Sequence, residues 1–203
     1  MLSGIDVSHY QGVIDWPTLM THTNLSFVSI KATEGTTYTD PSFSTNWKSS
    51  KSVGLKRSAY HFAHPSVSAV EQAQYFVGAV ESAGGFRDNS TMQLMLDLED
   101  SDKLSSGEVW AWVQSFMGEV QRLTGKPGII YTGYYFWRDN VGNPTDNLNA
   151  PLWIAAYIAS PLIPPAWSTW TFWQYDDNGK LPGITGVSPR HALTCNPPLF
   201  FSL

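Results

Sequence analysis

The chain has 203 residues, a net charge of −5, 42% hydrophobic and 14% charged residues, and a single cysteine, Cys195. That length suits one domain over 1–203 with a full core, and the composition is globular rather than disordered. One cysteine excludes an internal disulfide and a thiolate metal cluster, and the lack of a basic run argues against nucleic acid or an anionic membrane as partner.

No apolar run approaches the ~18 residues of a membrane span. The first residues lack the basic start and apolar stretch of a leader, which suits a cytoplasmic chain or a mature one. Aromatic residues are abundant, with 9 Trp, 9 Tyr and 10 Phe. Their faces can line a sugar site, and they can equally fill a core.

In chain order, Gly4-Ile5-Asp6-Val7-Ser8 reads as a short strand carrying one acid. Asp15-Trp16-Pro17 has the form of an N-cap with proline in the first turn, opening a short helix through Leu19 and Met20. A second strand, Phe27 to Lys31, runs into Ala32-Thr33-Glu34-Gly35. Asp40-Pro41 starts a helix with Phe43 and Trp47 on one face, closed by Gly54. The third strand, Arg57 to Phe62, ends in Tyr60-His61-Phe62.

Ser68 and Glu71 form a capping box ahead of Val70, Ala73, Val77 and Val80 at helical spacing. Leu94 to Asp100 is the fourth strand. Ser105 and Glu108 make a second box, followed by a stripe from Val109 to Leu123 that Gly125 and Pro127 end. Gly128 to Thr132 is the fifth strand, and further strands are expected at Leu152–Tyr157, Thr171–Tyr175 and near Leu193–Asn196. The segments 133–151 and 158–170 show no helical stripe, and Pro161, Pro164 and Pro165 break the second. Alternating strands and helices followed by helix-poor strands predict an α/β, TIM-like barrel of (β/α)5(β)3 form.

In such a barrel the working residues sit at the C-terminal strand ends. Those ends carry Asp6, Glu34, Tyr60, Asp97 with Glu99, Tyr131, Trp153 with Tyr157, and Gln174. Each has a plain structural explanation alone: Glu34 could pair with a lysine, and the aromatics could be core. The stretch Met95-Leu96-Asp97-Leu98-Glu99-Asp100 is the most informative. Alternation turns the leucines to one side and Met95, Asp97 and Glu99 to the other. Two carboxylates facing a cavity are costly unless they do work, and paired carboxylates are the working parts of glycoside hydrolysis.

Competing chemistries are weak. The five histidines show no metal spacing beyond His61 and His64, read as structural, and no Gly-x-Ser-x-Gly or phosphate-cradling loop is present. No metal or cofactor is expected.

Several segments together resemble the family 25 glycoside hydrolases, the Chalaropsis-type lysozymes. They are Gly-Ile-Asp-Val-Ser at 4–8 with Gln11-Gly12 and Asp15-Trp16, Ile-Lys-Ala-Thr-Glu-Gly at 30–35, and Tyr-His-Phe at 60–62. Leu-Asp-Leu-Glu at 96–99, Ile-Tyr-Thr-Gly at 130–133, Leu-Trp-Ile-Ala at 152–155 and Trp-Gln-Tyr at 173–175 continue the series. The resemblance implies an extracellular, monomeric muramidase acting on the β-1,4 bond after N-acetylmuramic acid in peptidoglycan glycan strands. It implies Glu99 as general acid, Asp97 orienting the sugar's 2-acetamido group, and Asp6 beside them. Tyr60 and Tyr131 would line the sugar site, with Glu34, Trp153 and Gln174 as further binding residues.

One departure stands out. The family's Val-Asp-x-Asn element on the last strand has Thr194 where its aspartate belongs, with Asn196 on the asparagine. Asp176 or Asp177 could stand in for it. A chitinase-like hydrolase and a non-catalytic wall-binding barrel are the alternatives.

Overall fold

β1 (Ser3–Val7) opens the fold, and the computed structural model describes residues 2–185. A 3-10 turn (His9–Gln11), α1 (Trp16–His22), β2 (Leu25–Glu34), a two-residue β3 (Tyr38–Thr39) and α2 (Phe43–Ser52) follow. Next come β4 (Lys56–Phe62), α3 (Ala69–Ser82), β5 (Met95–Asp97) and α4 (Ser106–Thr124). β6 (Ile129–Gly133), α5 (Tyr134–Asn140), β7 (Leu152–Ala155) and β8 (Phe172–Gln174) complete the order. The main sheet runs β1-β2-β4-β5-β6-β7-β8 with every pairing parallel, and β3 pairs antiparallel with β2. The fold is therefore mixed α/β around a parallel sheet.

The helices start where the sequence signals them. Asp15 Oδ1 accepts the Thr18 N–H at 3.1 Å, and Glu108 Oε2 reaches back to the Ser105 N–H at 2.8 Å. Of the box expected at α3, the forward half forms, with Glu71 N–H donating to Ser68 Oγ at 3.4 Å. Val70, expected in the buried stripe, is 41% exposed; Phe76 and Gln72 fill the stripe instead.

Two further sequence expectations need correction. The 133–151 segment does contain a helix, α5, whose seven residues bury fully only Trp137 and so leave no stripe to read. β5 stops at Asp97, which puts Glu99 on the loop beyond the strand. The strand expected near 193–196 lies outside the described residues.

The sheet has two apolar faces. Leu94, Leu96 and Leu98 pack outward with Val28, Ile30, Phe76 and Phe116 in the core under the helices. Phe27, Met95, Ile129, Tyr131, Trp153 and Phe172 form a second core on the inner face. β2 and β8 stand five places apart in the sheet, about 24 Å if it were flat. Yet the Phe27 and Phe172 ring centroids are 5.6 Å apart, and Trp153 stacks on Phe172 at 4.9 Å. The sheet is therefore strongly curled, with its inner base filled by rings. Gly4 permits this, because the Phe27 ring occupies the place a Cβ would take.

Candidate active site

Parallel strands end on one side of the sheet, so the side chains at their C-terminal ends share a rim. There, Asp6 of β1, Tyr60 of β4, Asp97 of β5 and Tyr131 of β6 line one cleft of about 220 Å³. Glu99, two residues beyond β5's inward Met95-Asp97 pair, completes the acidic wall. Gln174 of β8, with Tyr157 and Asp177 from the loops after β7 and β8, closes the opposite side. A larger hollow of about 720 Å³ lies between α2 and α3, but Asp40 is the only acid in its lining. Size does not locate the chemistry here.

The two central carboxylates differ sharply in setting. Asp97 is buried at 7% exposure, and its Oδ1 has no hydrogen-bond partner among the described residues. Burial, then the negative charges of Glu99 and Asp6, push its carboxyl well above the usual carboxylate range. Glu99 is exposed at the mouth. Asp97 thus keeps a proton more readily than an ordinary carboxyl, while Glu99 lies at the solvent-facing mouth.

The tyrosines stay protonated donors. Burial and the nearby carboxylates raise the Tyr60 and Tyr131 hydroxyls well above their ordinary value, and Tyr157 is raised to about 12. Gln174 organises them. Its Oε1 accepts from the Tyr131 hydroxyl at 2.8 Å and the Tyr157 hydroxyl at 2.7 Å. Its Nε2 donates to Asp6 Oδ2 at 3.3 Å.

Of the residues expected from sequence, Asp6, Tyr60, Asp97, Glu99, Tyr131 and Gln174 come together. Two are placed elsewhere. Glu34 is drawn aside by Lys31 Nζ at 2.7 Å and His64 Nε2 at 3.1 Å, so it is the lysine pairing that its position allowed. Trp153 is fully buried one layer lower, stacked on Phe172. The residue of that strand's inward parity that reaches the cleft is Tyr157, four positions on. Asp177, which sequence offered only as a stand-in, lines the cleft as well. Among the described residues no group of three or more His, Cys, Asp or Glu could hold a metal ion, and no helix is long and apolar enough to cross a membrane.

A family model described as glycosyl hydrolases family 25 matches residues 5–184. The chain is 37% identical over 199 residues to Lysozyme M1 of Streptomyces globisporus, covering 94% of this chain and 67% of that protein. It thus spans about two thirds of that relative's length. It is 34% identical over 194 residues to an N,O-diacetylmuramidase of Arthroderma benhamiae, covering 92% of this chain and 81% of that one. In three dimensions it resembles a bacterial lysozyme from Streptomyces coelicolor, with a TM-score of 0.87 at 33% identity over 98% of this chain and 93% of the other.

Proposed function

The chain belongs to the glycosyl hydrolases of family 25, and from that membership we propose that it cuts the β-1,4 bond after N-acetylmuramic acid in peptidoglycan. The observation that carries the reading is the convergence of Asp6, Asp97 and Glu99 in a single tyrosine-walled cleft. On this reading the sugar's 2-acetamido group enters the cleft over Met95 and offers its N–H to the unpaired Oδ1 of Asp97. An N–H donor favours the anionic form of that carboxyl, so the pair's shared proton comes to reside on Glu99.

Glu99 then gives this proton to the glycosidic oxygen as the bond to the anomeric carbon breaks. The acetamido carbonyl oxygen attacks the same carbon from the other face, and Asp97 stabilises the positive charge that develops on the ring so formed. Water reopens it, losing its proton to the Glu99 carboxylate. Tyr60 contributes a hydroxyl donor, Tyr131, whose proton is held by Gln174, a hydroxyl acceptor, and both offer ring faces to the sugar. Asp177 supplies the acid missing at Thr194. The Asp6–Gln174 bond supports a barrel closed between β8 and β1 in the (β/α)5(β)3 manner.

Reducing-end release from peptidoglycan, with chitin oligomers in parallel, tests the assignment. Glu99→Gln should abolish turnover on peptidoglycan, and equal rates for this variant and the parent would remove Glu99 from the mechanism. Faster release from chitin than from peptidoglycan would point to the chitinase-like alternative.

A further inference from the structure

Outside the cleft, a chain of charged side chains runs along the strand ends from β2 to the loop that bears Glu99. Lys31 Nζ donates to Glu34 Oε2 at 2.7 Å, with Lys31 packed against the Phe62 ring. His64 lies between two carboxylates, with Nε2 3.1 Å from Glu34 Oε1 and Nδ1 3.2 Å from Asp102 Oδ1. Asp102 Oδ2 also accepts from the Ser66 N–H at 3.0 Å and the Ser66 hydroxyl at 2.7 Å. Asp102 is three residues beyond Glu99.

We infer that His64, as an imidazolium bridging Glu34 and Asp102, is a positioning residue that fixes the Glu99 loop for proton transfer. The inference rests on the assignment of Glu99 as the acid.

Its backbone shows why the loop needs fixing. Asp102 and Lys103 have φ of 48° and 65°, two consecutive non-glycine residues in the left-handed region. Such conformations are strained for residues with a Cβ and persist only where surrounding contacts hold them. Within the loop, the Asp102 N–H donates to Asp100 Oδ1 at 2.8 Å, and the Leu104 N–H donates to the Ser101 carbonyl at 2.9 Å. From outside, Ser66 and His64 hydrogen-bond to Asp102, at the strained turn itself. Relaxing this turn would swing Glu99, and a displacement near 1 Å at a reacting group costs about 100-fold in rate.

The bridge also requires a charged ring. A neutral imidazole has one N–H, so one of the two carboxylates would face a lone pair. The groups that face His64 are Glu34 on β2, Asp102 on the loop after β5, Lys31 beyond Glu34, and His61 on β4. The two carboxylates outweigh burial and raise the His64 ring above its ordinary value. His61, three residues earlier, is the opposite case. Its Nε2–H donates to Gln72 Oε1 at 2.9 Å, its Nδ1 accepts from Thr33 Oγ1 at 2.8 Å, and it is neutral. Gln72 also takes the His64 N–H at 3.1 Å and donates to its carbonyl at 2.7 Å, so the backbone under the bridge is fixed.

The test compares the full chain with His64→Gln, His64→Arg, Asp102→Asn and Glu99→Gln on peptidoglycan at one mildly acidic pH, with melting temperatures alongside. His64→Gln and Asp102→Asn should lower kcat about 10- to 100-fold with KM nearly unchanged. Arginine is always charged and can donate to both carboxylates, so His64→Arg should recover most of the rate. Parental kcat in folded His64→Gln, or a folded His64→Arg no faster than His64→Gln, overturns the inference. If His64→Gln does not fold, Asp102→Asn decides, since asparagine keeps the size and loses the charge; parental kcat there is equally fatal. An inactive Glu99→Gln beside an unaffected His64→Gln rejects the bridge alone, whereas an active Glu99→Gln rejects the acid assignment beneath it.

Discussion

Gln174 on β8 donates from Nε2 to Asp6 Oδ2 on β1 at 3.3 Å, joining the two outermost strands of the main sheet across the cleft. The same amide accepts from Tyr131 and Tyr157. Gln174→Leu removes these three contacts at similar volume and takes the amide acceptor from the buried Tyr131 hydroxyl. The expected cost is about 1–3 kcal/mol in denaturant unfolding, with turnover on peptidoglycan falling about 10-fold or more. A variant as stable and as fast as the parent would show that the amide organises nothing.

Asp97 should trade stability for activity. Its folded-state affinity for a proton is raised, so between the ordinary carboxylate value of 3.8 and that raised value the unfolded chain is the more readily ionised. Its contribution to stability therefore declines as pH rises through this window. Asp97→Asn removes the decline: the variant should melt above the parent at pH 8 and lose its advantage near pH 4. Turnover should fall about 1,000-fold. A melting temperature that collapses together with activity would mark the residue as structural.

Arg57 is buried at 2% exposure over the Trp47 ring, and Asp88 Oδ2 accepts from its Nη2 at 2.8 Å. Bonds from Lys51, Ser90 and Thr91 and the charge of Arg57 hold Asp88 well below the usual carboxylate range. Asp88→Ala takes the counter-charge from a buried guanidinium that keeps only its bond to the Trp47 carbonyl, and should cost about 1–3 kcal/mol, with turnover per folded molecule unchanged. The Asp88 contribution is present above 3.8 and is lost as the pH falls below it. Chemical denaturation at pH 7 and pH 3 measures both effects.

His61 predicts a second acid limb. Burial lowers its ring from 6.5 to about 4, so its stabilisation is whole above 6.5 and drains away as pH falls toward 4. That interval is worth roughly 3 kcal/mol. His61→Phe, placed against Phe76 and stacked on Phe116 as the histidine is, should flatten this limb in unfolding curves at pH 7 and pH 4.5. It should also cost stability at neutral pH by leaving Thr33 Oγ1 without its ring partner and taking one of the bonds of Gln72. His64 acts in the opposite sense, contributing fully below 6.5 and losing its contribution as pH rises through its raised value. An unchanged acid limb in His61→Phe would assign it to other groups.

How much of this was legible in the sequence depends on whether a signal is local. Alternation in Met95 to Glu99 placed the leucines outward and the acids inward because strand parity is set by the backbone. Parallel strand order then carried Asp6, Tyr60, Tyr131 and Gln174 to the same rim. Glu34 sits at an equally suitable strand end, but the partners that draw it away, Lys31 and His64, are fixed by packing between strands. Trp153 has the right parity and the wrong height, since depth in a curled sheet depends on stagger between strands and not on spacing along one. α5 was missed because one buried tryptophan makes no period. The bridge at His64 joins residues 30 and 38 positions away, and no local pattern announces it.

The rings of Phe27, Trp153 and Phe172 stop the curled sheet at its base. Whatever enters the cleft above them must leave by the same mouth, and nothing can be threaded through. On the proposed reading, a glycan strand lying across that mouth needs no free end. The products should then be fragments of scattered length from the first moments of digestion, not a steady trickle of small sugars.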